Sequence, residues 1–117
     1  MSYIFECNDL SVWSPSLATG ELFKLLAGSI ESVVGVGSGL RWIADDMAQI
    51  EEGQFCVFVV AVVRQFESST NDVWRGLVQP FVAVSIAVAQ RCGLDVGTHD
   101  QVLEEQSRMF GRSMPWS

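Results

Sequence analysis

Nine consecutive apolar residues run from Phe55 to Val63. The length of the segment as far as Phe66, and the polar residues that follow it, favour a helix, although its β-branched residues are also typical of a strand. A helix that is apolar on every side is buried on more than one side. The segment is therefore predicted to be either the central helix of the fold or part of a subunit interface.

A second apolar run extends from Phe81 to Ala89. It lies in a predicted long helix that Asn71 or Thr70 can cap and that Pro80 is expected to kink. A membrane-spanning helix needs about 20 mostly apolar residues. Because both runs are shorter than that, we predict buried core segments and no membrane span.

The N-terminal residues alternate as a β-hairpin does. Tyr3, Phe5 and Cys7 are predicted to face one side of the first strand, and Asn8 with Asp9 supplies the turn. The second strand is expected to continue through Trp13.

A helix is predicted from Pro15 to about Val34. Ser14 suits the N-cap position, and proline suits the first helical position, where no amide hydrogen is needed. Apolar residues at helical spacing predict a stripe that faces the core, formed by Leu22, Leu26, Ile30 and Val33 and widened by Phe23, Leu25 and Val34.

Two glycines lie within this predicted first helix, and a glycine-rich segment follows it. Gly20 and Gly28 each weaken it by about 1 kcal/mol relative to alanine. Because they lie eight residues apart and near one face, we expect another backbone to approach closely there. The glycine-rich segment 35–39 is predicted to end the helix and form a turn.

The remaining segments complete a predicted α+β fold. Met47 to Ile50 is either a third short strand or the end of a helical turn, and Thr98 is expected to cap a last, surface helix. We predict a single domain over residues 1–117, with a small N-terminal antiparallel hairpin of two or three strands packed on about four helices.

The composition is richer in apolar residues than a small monomer requires. Hydrophobic residues make up 49% and charged residues 18% of the 117 residues, whereas an average domain is about 25% charged. This surplus predicts either a self-association surface or a ligand cavity.

The net charge limits the classes of partner that we expect the protein to bind. The net charge is −7, and phosphate backbones are bound mainly by lysine and arginine. We therefore predict no nucleic-acid binding and, instead, solubility or a basic protein partner. The N-terminal residues lack a basic region followed by an apolar stretch, so a cytoplasmic location is expected.

Residues with catalytic or metal-binding chemistry are sparse. His99 is the single histidine, and Cys7, Cys56 and Cys92 are far apart in the sequence, without a CxxC pair. A nucleophile needs a positioned base, and a zinc site needs several cysteine or histidine ligands. We predict reduced, buried thiols, no metal, no cofactor and no catalytic residue.

Four carboxylates lie within eight residues of one another, and we predict that they form an acidic edge on the surface. They are Asp45, Asp46, Glu51 and Glu52. Adjacent residues point to different sides of a helix or strand, so neither pair chelates a metal as neighbours. A partner-binding patch is the functional hypothesis for this edge.

Tryptophans are common at interfaces. Trp13 and Trp74 are expected to pack in the core. Trp42 and Trp116 lie near polar or glycine-rich segments and are expected to be exposed, and Trp42 joins the predicted partner-binding residues.

Short motifs along the chain resemble those of a known family. They are VWSPS, LF at 22–23, SGL at 38–40, ADD at 44–46 and QRCG at 90–93. This arrangement resembles a family of small uncharacterised actinobacterial proteins, known as a domain of unknown function. The resemblance implies a hairpin followed by a helix, and it implies no activity, cofactor or site residue.

These observations favour a non-catalytic protein-interaction module over an enzyme. We predict a homodimer, because one small bundle covers both apolar runs with difficulty. A basic protein partner is expected, by analogy with immunity proteins or chaperones. The alternative is a small-molecule-binding protein or small enzyme with an apolar helical cavity.

Overall fold

The computed structural model describes residues 2–116 and has an α+β fold. In chain order its elements are β1 (Ile4–Cys7), β2 (Leu10–Trp13), α1 (Leu17–Val34), β3 (Leu40–Ala44), β4 (Met47–Ile50), α2 (Glu52–Ser68), α3 (Asp72–Arg91) and α4 (Gln101–Ser113). The predicted fold class and the four helices are confirmed, and the sheet has four strands.

The sheet consists of two hairpins that meet along a parallel pair of strands. Its order is β2-β1-β4-β3, and each hairpin, β1–β2 and β3–β4, is antiparallel. Strands β1 and β4 pair in parallel, with Phe5 opposite Ala48. A parallel pair needs a long crossover connection, which α1 and β3 supply here. The sheet is therefore mixed and has four strands, where two or three antiparallel strands were predicted; of the two interpretations of Met47–Ile50, the strand is confirmed.

Two-residue turns close both hairpins. Asn8 and Asp9 have positive φ angles of 53° and 64°, which both central residues of a type I′ turn require. The first hairpin is thus confirmed. Asp45 and Asp46 occupy the second turn. Sequence reasoning missed β3 because it is an edge strand whose register shifts between Trp42 and Ala44, which breaks the alternation.

Helix α1 begins two residues later than predicted. Its N-cap is Ser16, whose hydroxyl accepts a hydrogen bond from the Thr19 amide at 3.2 Å. The backbone amide of Ser14, the predicted cap, donates instead to the Pro115 carbonyl. At the other end Gly35 adopts a left-handed conformation with φ 73°, so the predicted glycine stop is confirmed.

The predicted core-facing stripe of α1 is confirmed only in part: Phe23 and Ile30 are buried, but the leucines are not. Leu22 and Val33 are each 57% exposed and Leu26 is 37% exposed, and Ile30 is the one buried residue of the four. The buried side of α1 consists of Gly20, Phe23, Ala27 and Ile30. The helix is rotated so that Phe23, Ile30 and two small residues, and not the leucines, face the core.

Gly20 lets α1 lie directly on the sheet. A Cβ atom added there would come within 2.2 Å of Cγ of Tyr3, whereas one added at Gly28 would meet nothing within 4 Å. A close approach at Gly20 is therefore confirmed, but the approaching group is the side chain of Tyr3 and not the predicted backbone. At Gly28 the prediction is wrong.

Aromatic rings connect the sheet to three helices. Phe5 stacks on Trp13 with ring centroids 5.0 Å apart, and Phe23 of α1 meets these rings edge-on at 5.6 and 5.3 Å. Phe23 also stacks on Phe81 of α3 at 5.1 Å, and Phe81 lies 6.3 Å from Phe58 of α2. A continuous series of aromatic contacts thus runs through the core from the sheet to α2.

The apolar runs are helical, as predicted, and they form much of α2 and α3. Asn71 caps α3 through the Trp74 amide, which confirms one of the two predicted caps. Within residues 2–116, α3 is the one helix long and apolar enough to cross a membrane by length and composition, and half of its most apolar window is buried inside the fold.

The C-terminal helix α4 is capped by Asp100, which accepts a hydrogen bond from the Leu103 amide at 2.9 Å. The predicted cap, Thr98, instead donates its hydroxyl hydrogen to Glu67 of α2. Arg91 of α3 bridges β2 and the residues after α4, because its guanidinium donates to the carbonyls of Val12 and Met114 at 2.8 and 2.6 Å. The C-terminal residues are therefore tied to β2.

Replacing the two glycines of α1 by alanine is expected to change stability in opposite directions. Gly20→Ala forces a Cβ against Tyr3, and overpacking of this kind typically costs about 1–3 kcal/mol. Gly28→Ala lies in open space and should gain about 0.5–1 kcal/mol from helix propensity. Denaturant unfolding of both variants measures the difference. A Gly20→Ala variant as stable as Gly28→Ala would contradict this packing of α1 on Tyr3.

Candidate functional site

The four predicted carboxylates do not form one edge. Asp45 and Asp46 lie in the β3–β4 turn, and Glu51 and Glu52 lie at the start of α2. The extended strand β4 separates the pairs, and a strand rises about 3.3 Å per residue. The structure therefore places the two acidic pairs at opposite ends of β4, roughly 15 Å apart.

The first acidic pair lies near a buried phenol. Tyr3 is 2% exposed and donates its hydroxyl hydrogen to Glu21 of α1 at 2.7 Å. Burial, then the hydrogen bond and charge of Glu21, then the charges of Asp45 and Asp46, raise the pKa of Tyr3 to about 12. This end of the sheet therefore holds a protonated phenol among three carboxylates.

The second acidic pair lies where both hairpins meet α2. Glu52 accepts a hydrogen bond from the Asn8 side chain in the first turn. Glu51 occupies the N-cap position without a side-chain capping bond, and its side chain is exposed. Its backbone amide donates to the Gly39 carbonyl at 2.9 Å. One carboxylate at this end is thus held by the fold, and the other points to solvent.

Trp42 is half-buried, contrary to the expectation that it is exposed. Its ring meets Tyr3 and Phe5 edge-on, with centroids 5.8 and 5.7 Å away, and the Lys24 ammonium lies 5.0 Å from its centroid. These contacts hold the ring at the rim of the core. A smaller part of it is left for a partner than the prediction assumed.

The other tryptophans follow the predictions more closely. Trp13 is buried and Trp74 is half-buried against the core. Trp116 is 60% exposed, and its ring covers the Arg91 guanidinium at 3.9 Å.

The thiols and the histidine sit in separate settings. Burial raises the pKa values of Cys7 and Cys92, so neither favours the thiolate that nucleophilic chemistry needs. Cys56 is half-buried on α2, and His99 is exposed, with its backbone amide donating to Glu67. Among residues 2–116 no three histidine, cysteine or acidic side chains gather as a metal site does.

Helix α2 has an apolar surface on both of its sides. Its inner side is buried and carries Phe55, Phe58, Val59, Val62, Val63 and Phe66. Its opposite side, here called the outer face of α2, recurs at helical spacing and consists of Gly53, Cys56, Val57, Val60, Ala61 and Arg64.

The outer face of α2 is open to solvent. Val57 is 56% exposed, and Cys56, Val60 and Ala61 are half-buried. Together with Leu94 from the α3–α4 connection, this face forms a groove of about 680 Å³. The sequence predicted burial on more than one side, and the chain itself covers only the inner side.

Helix α1 also has an exposed apolar surface, here called the outer face of α1 and formed by Leu22, Leu25, Leu26 and Val33. The three charged residues of this helix contact other elements. Glu21 accepts from Tyr3, Lys24 lies over Trp42, and Glu31 accepts from the Ser38 amide at 2.6 Å. The outer face of α1 is therefore uncharged along its length.

A family of unknown function (DUF6086) has a sequence model that matches residues 1–116. The chain belongs to this family. It shows significant similarity to no curated protein and to no solved structure. Membership in DUF6086 agrees with the resemblance drawn from the short motifs, and it extends over α4, which those motifs did not reach.

The raised pKa of Tyr3 in this DUF6086 protein is directly measurable, because Tyr3 is the single tyrosine of the sequence. Tyrosinate absorbance should appear with a midpoint near pH 12 in the folded protein and near pH 10 in denaturant. Because the folded pKa lies above the unfolded one, the stabilisation is complete below pH 10 and is lost as the pH rises towards 12. A folded-state midpoint at the unfolded value would contradict burial of this phenol.

Proposed function

We propose that this chain is a non-catalytic protein-interaction module that acts as a homodimer, with the outer face of α2 in the subunit interface. The observation that carries the proposal is the two-sided apolar character of α2, of which the fold covers one side. Fully burying a valine or leucine side chain contributes about 1.5–3 kcal/mol. A second copy would bury the groove-lining residues that one chain leaves in water.

The structure removes one of the two original reasons to expect a dimer. The run from Phe81 to Ala89 is covered by the fold itself, with Val84 as its one half-buried residue. The run from Phe55 to Val63 still leaves Val57 exposed. Support for self-association therefore comes from the first run, on α2, and no longer from the second.

The outer face of α1 is the competing surface. It exposes more leucine side chains than α2 does, but it has no charge that would favour one orientation of a partner over another. Charge patterns are what fix register at many interfaces. We assign the dimer to α2 for that reason, and α1 is the alternative that the experiment below distinguishes.

A basic protein partner remains part of the proposal. The net charge of −7 supports it, since exposed charge attracts an oppositely charged protein. Because the acidic pairs are at opposite ends of β4, such a partner would meet Asp45 and Asp46 or else Glu51 and Glu52. By analogy with other acidic proteins, we extend the proposal to an immunity-like or chaperone-like role. A cytoplasmic location and an actinobacterial source are also part of the proposal.

The rival function, binding of a small molecule in an apolar helical cavity, has weaker support. Small-molecule sites bring a few polar groups together in an enclosed apolar pocket. In the α2 groove the charged groups, Glu52 and Arg64, are twelve residues apart along one helix, which corresponds to about 18 Å. An elongated, open groove of this kind fits a protein surface better.

Sedimentation equilibrium over a concentration series tests the proposed dimer. The wild-type protein should reach twice the chain mass of 12.9 kDa as its concentration rises. Val57→Glu places a charge in the groove and should weaken the dimer about tenfold or more, since leaving a buried charge unpaired costs several kcal/mol. Val73→Glu, at a 72% exposed valine of α3, is the matched control and should leave the dimer unchanged.

Each alternative outcome of this series has a defined meaning. A wild-type protein that stays monomeric at every concentration contradicts the homodimer. If Leu22→Glu with Leu26→Glu dissociates the dimer while Val57→Glu does not, the interface lies on α1.

A further inference from the structure

The outer face of α2 has opposite charges at its two ends, with Glu51 and Glu52 before it and Arg64 at its far end. We propose, building on the homodimer above, that two copies of α2 pack antiparallel about a twofold axis. In this arrangement Arg64 of each copy reaches Glu51 and Glu52 of the other. The basic group expected to contact this acidic pair would then belong to a second copy of the chain.

The spacing along α2 supports this arrangement. The apolar residues of the outer face lie between acidic residues at the N-terminal end and Arg64 near the C-terminal end. A twofold axis midway between Glu52 and Arg64 exchanges the two ends of the helix. It brings Cys56 of one copy beside Val60 of the other, so apolar residues meet at the centre and opposite charges meet at both ends.

The ends of the groove have room for these contacts. A Cβ atom at Gly53 would meet nothing within 4 Å, so there is open space beside the first turn of α2 on its outer face. A long arginine side chain can pass over Gly53 towards the two carboxylates. Small residues at the centre, including Ala61, allow two helix axes to approach closely.

Arg64 has no ionic or hydrogen-bonding contact within residues 2–116, whereas the guanidinium groups of Arg75 and Arg91 are bonded to other parts of the fold. Glu51 also lacks a capping bond. Unpaired opposite charges thus remain at the two ends of one apolar groove. An isologous interface must be self-complementary, and this face meets that condition.

A self-paired α2 also limits the repulsion between two acidic chains. Each copy has a net charge of −7, and like charges brought together oppose association. Two Arg64 contacts with carboxylates place opposite charges at the interface itself. The outer face of α1 avoids repulsion at its own surface but offers no comparable attraction.

Charge reversal followed by mixing tests the arrangement. Arg64→Glu places like charges at both ends of the interface, and the paired change Glu51→Arg with Glu52→Arg does the same with the opposite sign. The dimer of each variant alone should have a dissociation constant about tenfold or more higher than that of the wild type, because two contacts change from attraction to repulsion. When the two variants are mixed, both contacts become attractive again, and the mixture should form heterodimers with an affinity close to that of the wild type.

Matched controls separate this result from a general charge effect. Arg112→Glu, and Glu104→Arg with Glu105→Arg, make the same charge changes at exposed positions of α4, and they should leave the wild-type association constant unchanged. Circular dichroism of each single variant checks its fold, and the recovery on mixing shows independently that both variants are folded.

The two proposals fail in distinguishable ways. A wild-type protein that never dimerises overturns the homodimer and this arrangement together. A wild-type dimer that both charge reversals leave intact overturns the antiparallel α2 pairing alone. Charge reversals that weaken the dimer without recovery on mixing also overturn it, because only an antiparallel pair restores both contacts.

Discussion

The packing of Phe23 decides which side of α1 faces the core. Its ring touches Phe5 and Trp13 of the first hairpin and stacks on Phe81 of α3, so one side chain fixes the sheet, α1 and α3 relative to one another. Aromatic pairs add about 0.5–1.5 kcal/mol beyond the area that they bury. Because Gly20 allows α1 to lie against Tyr3, the helix settles with this ring inward.

The exposed surfaces follow from that arrangement. With Phe23 inward, the leucines of α1 point to solvent, and α3 fills the space on the inner side of α2 through Phe58 and Phe81. Helix α2 then has one side in the core and its outer face in the groove beside Leu94. Part of the surplus of apolar residues in the composition thus lies on these two helix surfaces, which suits association with another protein.

Local signals in the sequence identified much of the fold. The Asn8–Asp9 turn, the Gly35 stop and the Asn71 cap each depend on a few adjacent residues, and each is observed. Two predictions that depended on distant contacts failed at least in part. The leucine stripe of α1 has helical spacing, but the aromatic rings that outcompete it come from other elements. The acidic residues are neighbours in sequence, but an extended strand holds the pairs apart, and its edge partner β3 was itself unrecognised.

Alkylation of Cys56 in the wild-type protein tests the central claim most directly, because this thiol lies on the outer face of α2 and requires no substitution. Its alkylation rate, followed by peptide mass spectrometry from low micromolar to millimolar protein, should fall as dimers form. The Val57→Glu variant, which should stay monomeric, serves as the control, and its Cys56 rate should stay constant over the same concentration range. A Cys56 rate that stays constant while the protein dimerises would contradict an interface on α2.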